Sequence, residues 1–347
     1  MHIFRKHIIG IVYNEPLPPG SEFSEASMDV LDQVKATGRS LKELGYPSVP
    51  VPFTRDISRF LQLIKRRKVD MVFNLCEAVD EDARLSGHPA AVLEMLGIPF
   101  SGSPSIALSL TTDKFLAKRL MEASGITTPK YVAYSETGPV FNPSGLKYPV
   151  IVKPRFEDAS IGIDQGSIFR NEKDLEKGLK DFVDRFGALL VEEYIDGREF
   201  NISLFGYPSP QTLPLAEIVF EDFPEGVYPI LAYQAKWDKS SFEYRHTRRR
   251  FSQNLPRILQ KKIETIAFLC YRLFMLRDYG RIDMRVDARG KVHVLEVNAN
   301  PCLSVDAGFA AAIKKHGMTY SEMVRSFVSF MVLRSGKNDH TASRAPR

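Results

Sequence analysis

Gly280-Arg-Ile-Asp-Met-Arg-Val-Asp287, the turn residues Ala288-Arg-Gly290, and Val292-His-Val-Leu-Glu-Val-Asn298 form the stretch on which the fold turns. Two runs rich in β-branched residues with turn chemistry between them read as an antiparallel hairpin. Side chains alternate between the faces of a strand. Arg281, Asp283 and Arg285 are therefore expected on one face, with Ile282, Met284 and Val286 on the other. On the partner strand Glu296 and Asn298 share a face, and Leu295 and Val297 are expected in the core. Two acids and an amide thus gather beside an arginine, where Asn298-Ala-Asn-Pro301 breaks the strand. Oxygen donors without imidazole or thiolate among them suit a hard cation such as Mg²⁺. A solvated strand face with a cross-strand ion pair is the competing reading.

Upstream, Ile151-Val-Lys-Pro154 sets a lysine at the end of a strand otherwise fit for burial. Such a lysine needs an anionic partner, for which a phosphate is one candidate, or else snorkels out from the strand end. Leu189-Leu-Val-Glu-Glu-Tyr-Ile-Asp-Gly-Arg-Glu-Phe200 gives a strand and a turn flanked by Glu192 and Glu199. Acids so placed could meet an adenine amino group and ribose hydroxyls.

The first hundred or so residues have a βαβαβ rhythm, which argues for a doubly wound parallel sheet. Strands are expected at 8–13, 49–53, 69–73 and 98–101, with helices opening near Ser24 and at His88. After Thr112 the pattern becomes α+β: a helix over 113–124, strands near 148–154, 189–194, 201–205 and 213–220, and a long helix over 256–276. A last helix is expected over 320–333, and the polar, basic stretch 335–347 reads as a disordered tail.

Composition narrows the class. At 347 residues, 44% hydrophobic and 26% charged, the chain suits two or three domains with a sizeable core. Its net charge of +5 is spread thinly, which argues against nucleic acid as a partner. The run Arg245-His-Thr-Arg-Arg-Arg250 is a concentrated basic stretch, and Lys65 to Lys68 is another, expected to be a solvated helix end. Cys76, Cys270 and Cys302 are far apart and odd in number, so reduced thiols in a cytoplasmic protein are expected. No apolar run reaches membrane-spanning length, and neither a P-loop nor a G-x-G-x-x-G motif occurs.

Taken in order, the segments resemble the ATP-grasp superfamily, specifically the D-alanine–D-alanine ligase family. The resemblance runs from about Asp70 to Arg325. It is carried by Leu96-Gly-Ile-Pro-Phe-Ser-Gly-Ser103, Thr112-Asp-Lys114, Val152-Lys-Pro154, Val191 to Phe200, Ala235-Lys-Trp237, Gly280-Arg-Ile-Asp283 and Leu295-Glu-Val-Asn-Ala-Asn-Pro301. It implies a fold of α/β and α+β class: an ATP-grasp fold with an N-terminal doubly wound parallel-sheet domain (1–112). A central subdomain (113–200), a C-terminal subdomain with a metal site (201–334) and the tail (335–347) follow.

The resemblance also implies roles. Lys114, Lys153 and Lys236 match phosphate-binding lysines, with Lys236 also in the catalytic set. Glu192, beside Glu193 and Tyr194, matches the adenine contact, and Glu199 the ribose contact. Asp283, Glu296 and Asn298 match the ligands of two Mg²⁺ ions, with Mn²⁺ as an alternative metal. Arg281 matches the arginine that steadies an acyl phosphate and the tetrahedral intermediate, and Glu81 an acid that meets the first substrate's amino group. The implied reaction has a carboxylate attack the γ-phosphate of ATP, after which an amine displaces phosphate. The implied partners are amino-acid or peptide substrates, a backbone N–H near Cys302 as oxyanion donor, and a second copy of the chain in a homodimer. The stretch 228–250 is expected to close as a lid, because acyl phosphates hydrolyse unless water is excluded.

On the substrate side the pattern departs from the family. A serine of the substrate network falls at Ala159 with Ser160 beside it, and a tyrosine is Trp237. A His-Gly pair becomes Cys76-Glu77, and a carboxylate-holding serine becomes Ala307 preceded by Asp306. The N-terminal glutamate has no aligned equivalent among Glu15, Glu22 and Glu25. Glu77, Glu81, Ser160, Trp237 and Asp306 are therefore the expected substrate-binding set, for a substrate pair other than two D-alanines. An authentic D-alanine–D-alanine ligase and a catalytically reduced ATP-binding scaffold are the alternatives. Cys302 is expected to be a small core thiol without a paired base.

Overall fold

The computed structural model describes residues 7–135, 137–141, 145–251 and 255–342. Strands Ile9–Asn14, Ser48–Phe53 and Met71–Asn74 form a parallel sheet with Ile9–Asn14 in the middle. A parallel sheet needs cover on both faces. Val12, Val51, Phe53 and Val72 pack against Phe60 and Ile64 of helix Ile57–Arg67 and Leu93 of helix His88–Met95. Ile9, Ile11, Met71 and Phe73 meet Val30 and Leu41 of helix Ser24–Glu43. The same face is sealed by Met323, Phe327 and Met331 from helix Tyr320–Ala342, so the C-terminus completes the N-terminal core. The strand expected at 98–101 is reduced to one bridge, Val72 with Phe100. Pro99 has no N–H to extend the ladder, and Gly102 turns away at φ 86° beneath Tyr279, whose ring would lie 3.1 Å from an added Cβ.

The second sheet is antiparallel and orders Gly138–Phe141, Tyr131–Ser135, Leu189–Glu193, Val150–Pro154 and Ile168–Phe169. Alternation sorts its faces. Val150, Val152, Leu189 and Val191 pack on Leu175 of helix Glu172–Phe186. Ile151 stands opposite Glu192 on the other face, with Lys153 two residues along.

The third sheet runs Thr247–Phe251, Ala216–Phe220, Arg198–Gly206, Asp278–Val286, Val292–Asn298. Helix Arg257–Leu273 covers it with Ile263, Ala267 and Cys270 against Ile202, Ile282, Met284 and Val294. The hairpin turn is fixed by Asp287, whose Oδ1 accepts the N–H groups of Arg289 and Lys291, both at 2.9 Å, with Gly290 at φ 73°. The expected strict alternation fails at one place. Asp283 faces Glu296 but Met284 faces Val294, so Leu295 is the extra residue of a β-bulge and lies half-buried outside the core.

Two further expectations change. The stretch 228–250 is no simple loop: it contains helices Tyr233–Trp237 and Phe242–His246 and enters the edge strand Thr247–Phe251. Serine 241 caps the second of these helices, and the strand is held by the ladder to 216–220. The expected tail is helical as far as Ala342, because Gly336 alone, at ~1 kcal/mol, does not stop a helix anchored by Met323 to Met331. Residues 343–347 of that tail lie outside the described residues. Among the described residues, no helix is long and apolar enough to cross a membrane.

Candidate active site

A cavity of about 950 Å³ opens where the three sheets meet. Asn14, Glu77 and Glu81 line it from the first, Asp158 and Ala159 from the second, and Lys236, Arg281, Glu296 and Asn298 from the third. Phe23, whose ring meets Tyr233 edge-on at 5.0 Å, also lines it, as do Arg185 and Glu22, which pair with each other.

The hairpin end is tightly wired. Arg281 grips Asp283 with both fork nitrogens, Nε to Oδ1 and Nη2 to Oδ2, each at 2.8 Å. Asn201 adds a donor at 2.8 Å and Asn298 one at 3.2 Å, so one carboxylate receives four hydrogen bonds. Burial works against the Arg281 charge, but Asp283 with Glu296 behind it outweighs burial and raises its pKa. Glu296, directly across from Asp283, is pushed up by burial and by Asp158, against the pull of Lys114. Burial, then the nearby Arg281, lowers Lys236. Among the described residues no group of three or more His, Cys, Asp or Glu side chains gathers at metal-holding distance. Two facing carboxylates and an amide oxygen nevertheless fit a hard cation by donor chemistry, and proton-favouring crowding of Glu296 against Asp158 is what a cation would relieve.

Lys114 is placed by its neighbour. Asp113 caps helix Lys114–Ala123 through the N–H groups of Phe115 and Leu116 and holds Arg155 at 2.7 and 2.6 Å. Lys114, in the first turn, donates to the Glu157 carbonyl and lies 3.6 Å from Asp158. Burial opposes its charge, and Asp158 and Glu296 more than compensate.

The residues matched to a nucleotide's base and sugar do not line the large cavity. Each is instead engaged by a neighbour of its own. Glu192 takes Lys153 at 3.0 Å and Lys118 at 3.3 Å, with Glu192 and Lys118 each only 1% exposed. Burial would raise the Glu192 pKa, but the two lysines hold it below the usual carboxylate range, and Lys118 is lowered by burial to about 8. Glu192 Oε1 nonetheless receives no directed hydrogen bond among the described residues. Glu199 faces Arg285 in register and accepts from its Nε at 3.0 Å and Nη2 at 2.8 Å. Tyr194 lies under the Arg285 guanidinium at 5.0 Å, whereas Glu193 turns away to accept the Lys147 N–H at 2.9 Å. Sequence reasoning missed Lys118 and the Arg285 partnership. The signal for Lys118 is its i+4 spacing from Lys114, which sets both on one helix face.

The substrate-side residues divide. Glu77, Glu81, Trp237 and Asp306 line the cavity. Ser160 does not: its hydroxyl is spent on the Leu231 carbonyl at 2.7 Å, and the Trp237 indole donates to Ala159 O at 3.2 Å. Glu77 accepts from Gln33 at 3.1 Å, and Gln33 also bonds Asp29 and the Leu303 N–H. Asp29 in turn takes Ser304 at 2.7 Å and the Cys302 thiol at 2.9 Å. Cys302 is thus a cavity residue, not the expected core thiol, and burial raises its pKa well above normal, so it is no thiolate. The N–H groups of Leu303 and Ser304 are already taken by Gln33 and Cys302, which removes both as oxyanion donors near Cys302. Asp29 and Gln33 went unnoticed in the sequence because their helix reads there only as an amphipathic helix.

Comparison with known proteins agrees with this arrangement. The family model for the D-ala D-ala ligase C-terminus matches residues 120–329. An uncharacterized protein, y4sG, of Sinorhizobium fredii is 33% identical over 263 residues, covering 76% of this chain and 74% of that protein. A D-alanine–D-alanine ligase of Carboxydothermus hydrogenoformans is 31% identical over 299 residues, 84% of this chain and 89% of the enzyme. The fold matches the crystal structure of D-alanine–D-alanine ligase from Bacillus anthracis complexed with ATP, at a TM-score of 0.74 and 20% identity, covering 96% of this chain and 99% of that one. The chain belongs to the D-alanine–D-alanine ligase family and has its ATP-grasp fold.

Proposed function

We propose that this protein is an ATP-dependent ligase of the cytoplasm that joins the carboxylate of one amino-acid-like substrate to the amine of another through an acyl phosphate. The observation that carries the reading is Arg281, held rigid by Asp283 at the wall of a cavity lined also by Lys236 and by the acid Glu77. Arg281 would stabilise the oxyanion that forms as the amine adds to the acyl carbon. Lys114, Lys153 and Lys236 would bind the phosphates, and Glu192 Oε1, which lies 3.3 Å from Lys118 but receives no directed hydrogen bond among the described residues, would accept from an adenine amino group. Asp283, Glu296 and Asn298 are the residues that would hold Mg²⁺, which when bound neutralises charge on the transferred phosphoryl group. The three sheets support a division at 112 and 200 into three domains around the cavity.

The substrate pair is proposed to differ from two D-alanines, since Ser160 is turned away from the cavity and Trp237 has no hydroxyl to offer. ADP release measured against panels of D- and L-amino acids and small peptides is expected to show turnover that requires two substrates together. No acceptor-dependent turnover with any panel favours an ATP-binding scaffold. Synthesis of D-alanyl-D-alanine at rates typical of cell-wall enzymes overturns the altered specificity.

Glu77 gives this reading a pH signature. Burial raises its pKa to about 7, against the Gln33 hydrogen bond, with Asp29 and Asp158 adding to the rise. The nearby thiols Cys76 and Cys302 and the Tyr279 phenol stay protonated through that range because burial raises all three well above normal. Below pH 7 Glu77 is neutral and above it a carboxylate, so an ammonium group binds better as pH rises. The KM of the substrate whose ammonium it meets is expected to fall by about tenfold between roughly pH 6 and 8. Glu77→Gln should flatten that profile; a profile unchanged by the substitution removes Glu77 from substrate binding.

A further inference from the structure

We propose that Arg249 anchors the carboxylate of the amine-donating substrate, an assignment that rests on the ligase reading above. Arg249 stands in the edge strand Thr247–Phe251, opposite Ile218, and both side chains line the cavity. Its guanidinium reaches the start of helix Gly308–Lys315: an added Cβ on Gly308 would lie 3.5 Å from Nη2 and 3.6 Å from Nε. The only hydrogen bond described for it is a long one, 3.4 Å from Nη1 to the Asp306 carbonyl.

The arrangement is electrostatically unsatisfied. A helix start carries partial positive charge and open N–H groups. Ala307, at the N-cap, makes no side-chain capping bond to them. Arg249, still exposed at its edge strand, brings a full positive charge to that same end. Desolvation, then the second positive charge of Arg281, lowers the Arg249 pKa, opposed only in part by Asp306. Arg281 is committed to Asp283 in a bidentate pair, whereas Arg249 has no carboxylate within ion-pair distance among the described residues. Two cations and a helix start converging on solvent-filled space have a common remedy, an anion between them.

The anion's chemistry follows from its neighbours. The site lies in the part of the cavity lined by the third sheet, and the acids Glu77 and Asp29 line the same cavity. A carboxylate fits the planar fork of an arginine with two parallel bonds and can take helix N–H groups as well. At Ala307 this chain lacks the serine of the family pattern, and Arg249 supplies donors from the opposite wall. Discrimination should therefore be for a free carboxylate: an amide has one acceptor oxygen, carries no charge, and would bring its own N–H groups toward a guanidinium.

The test uses the full chain, ATP, and a panel of D- and L-amino acids as amine donors, each beside its primary amide. Wild type is expected to prefer acids over amides in kcat/KM, and Arg249→Met to raise the acceptor KM by about 100-fold. The acid-to-amide ratio should collapse toward one in that variant, with the KM for ATP unchanged. Arg249→Lys should restore part of the preference, as a merely structural contact would not. Amides serving as well as acids in wild type, or an unchanged ratio in Arg249→Met, overturn the anchor while leaving the ligase reading intact. Absence of turnover with every acid overturns the ligase reading and the anchor with it.

Discussion

Arg281→Lys is expected to lower kcat about 10²- to 10³-fold while the KM for ATP moves little. The reason is geometric. Two parallel 2.8 Å bonds to Asp283 fix the Arg281 plane, leaving its remaining N–H groups aimed into the cavity. Lysine keeps the charge but cannot form the fork, so its ammonium either pairs with Asp283 or faces the reacting carbon. The fold should survive, since Asp283 keeps the Asn201 and Asn298 donors at 2.8 and 3.2 Å and gains the lysine. Arg281→Met separates the two contributions. It leaves a carboxylate that is 9% exposed without a cation, and stability should fall by about 3 kcal/mol beside the lost activity. Steady-state kinetics with thermal melts for both variants decide the matter. An Arg281→Lys enzyme within threefold of wild type would remove Arg281 from transition-state stabilisation.

The hairpin and the βαβ rhythm were legible because each rests on local periodicity. Alternation puts Asp283 and Glu296 on one face, and they do stand opposite each other. The same rule misplaced Leu295, since a bulge is set by the partner strand's register and leaves no mark in single-strand periodicity. Groups matched by family pattern were named one at a time, but their partners were not. Lys118 reaches Glu192 from a helix some seventy residues upstream, and Asp29 meets Cys302 across most of the chain. Arg249 read as one of a basic run, and only the third sheet's edge pairing turns it into the cavity. The last helix is expected over 320–333 with nothing to say what it covers; that its Phe327 packs edge-on to Phe73 at 5.2 Å is a fact of tertiary topology. Long-range pairing is where a one-dimensional reading loses information, and in this chain most of the substrate end is built from it.

Glu192→Gln should be strongly destabilising although it lies outside the apolar core, costing about 3 kcal/mol and about 4 °C of melting temperature. Glu192 is 1% exposed and neutralises two lysines, Lys118 at 3.3 Å and Lys153 at 3.0 Å. Glutamine keeps the shape and removes the charge, so two ammonium groups remain buried side by side. Lys153, 14% exposed at its strand end, can reach water, whereas Lys118 is sealed. Lys118 therefore carries most of the cost, and pH reports it. Burial already lowers its pKa to about 8 in the folded chain, below the unfolded value, so the folded state binds fewer protons and stability rises with pH above that point. Without Glu192 the folded pKa falls further, and the variant sheds the burden of a charged Lys118 at lower pH than wild type does. The deficit should accordingly be largest in mild acid, where the two lysines keep the wild-type Glu192 ionised, and narrow as pH rises toward 8. Pairing the substitution with Lys118→Met should recover more than half of the loss, a coupling that independent sites would not show. A deficit that is flat with pH, together with additive losses in the double variant, would place the cost of Glu192→Gln in packing and not in the buried triad.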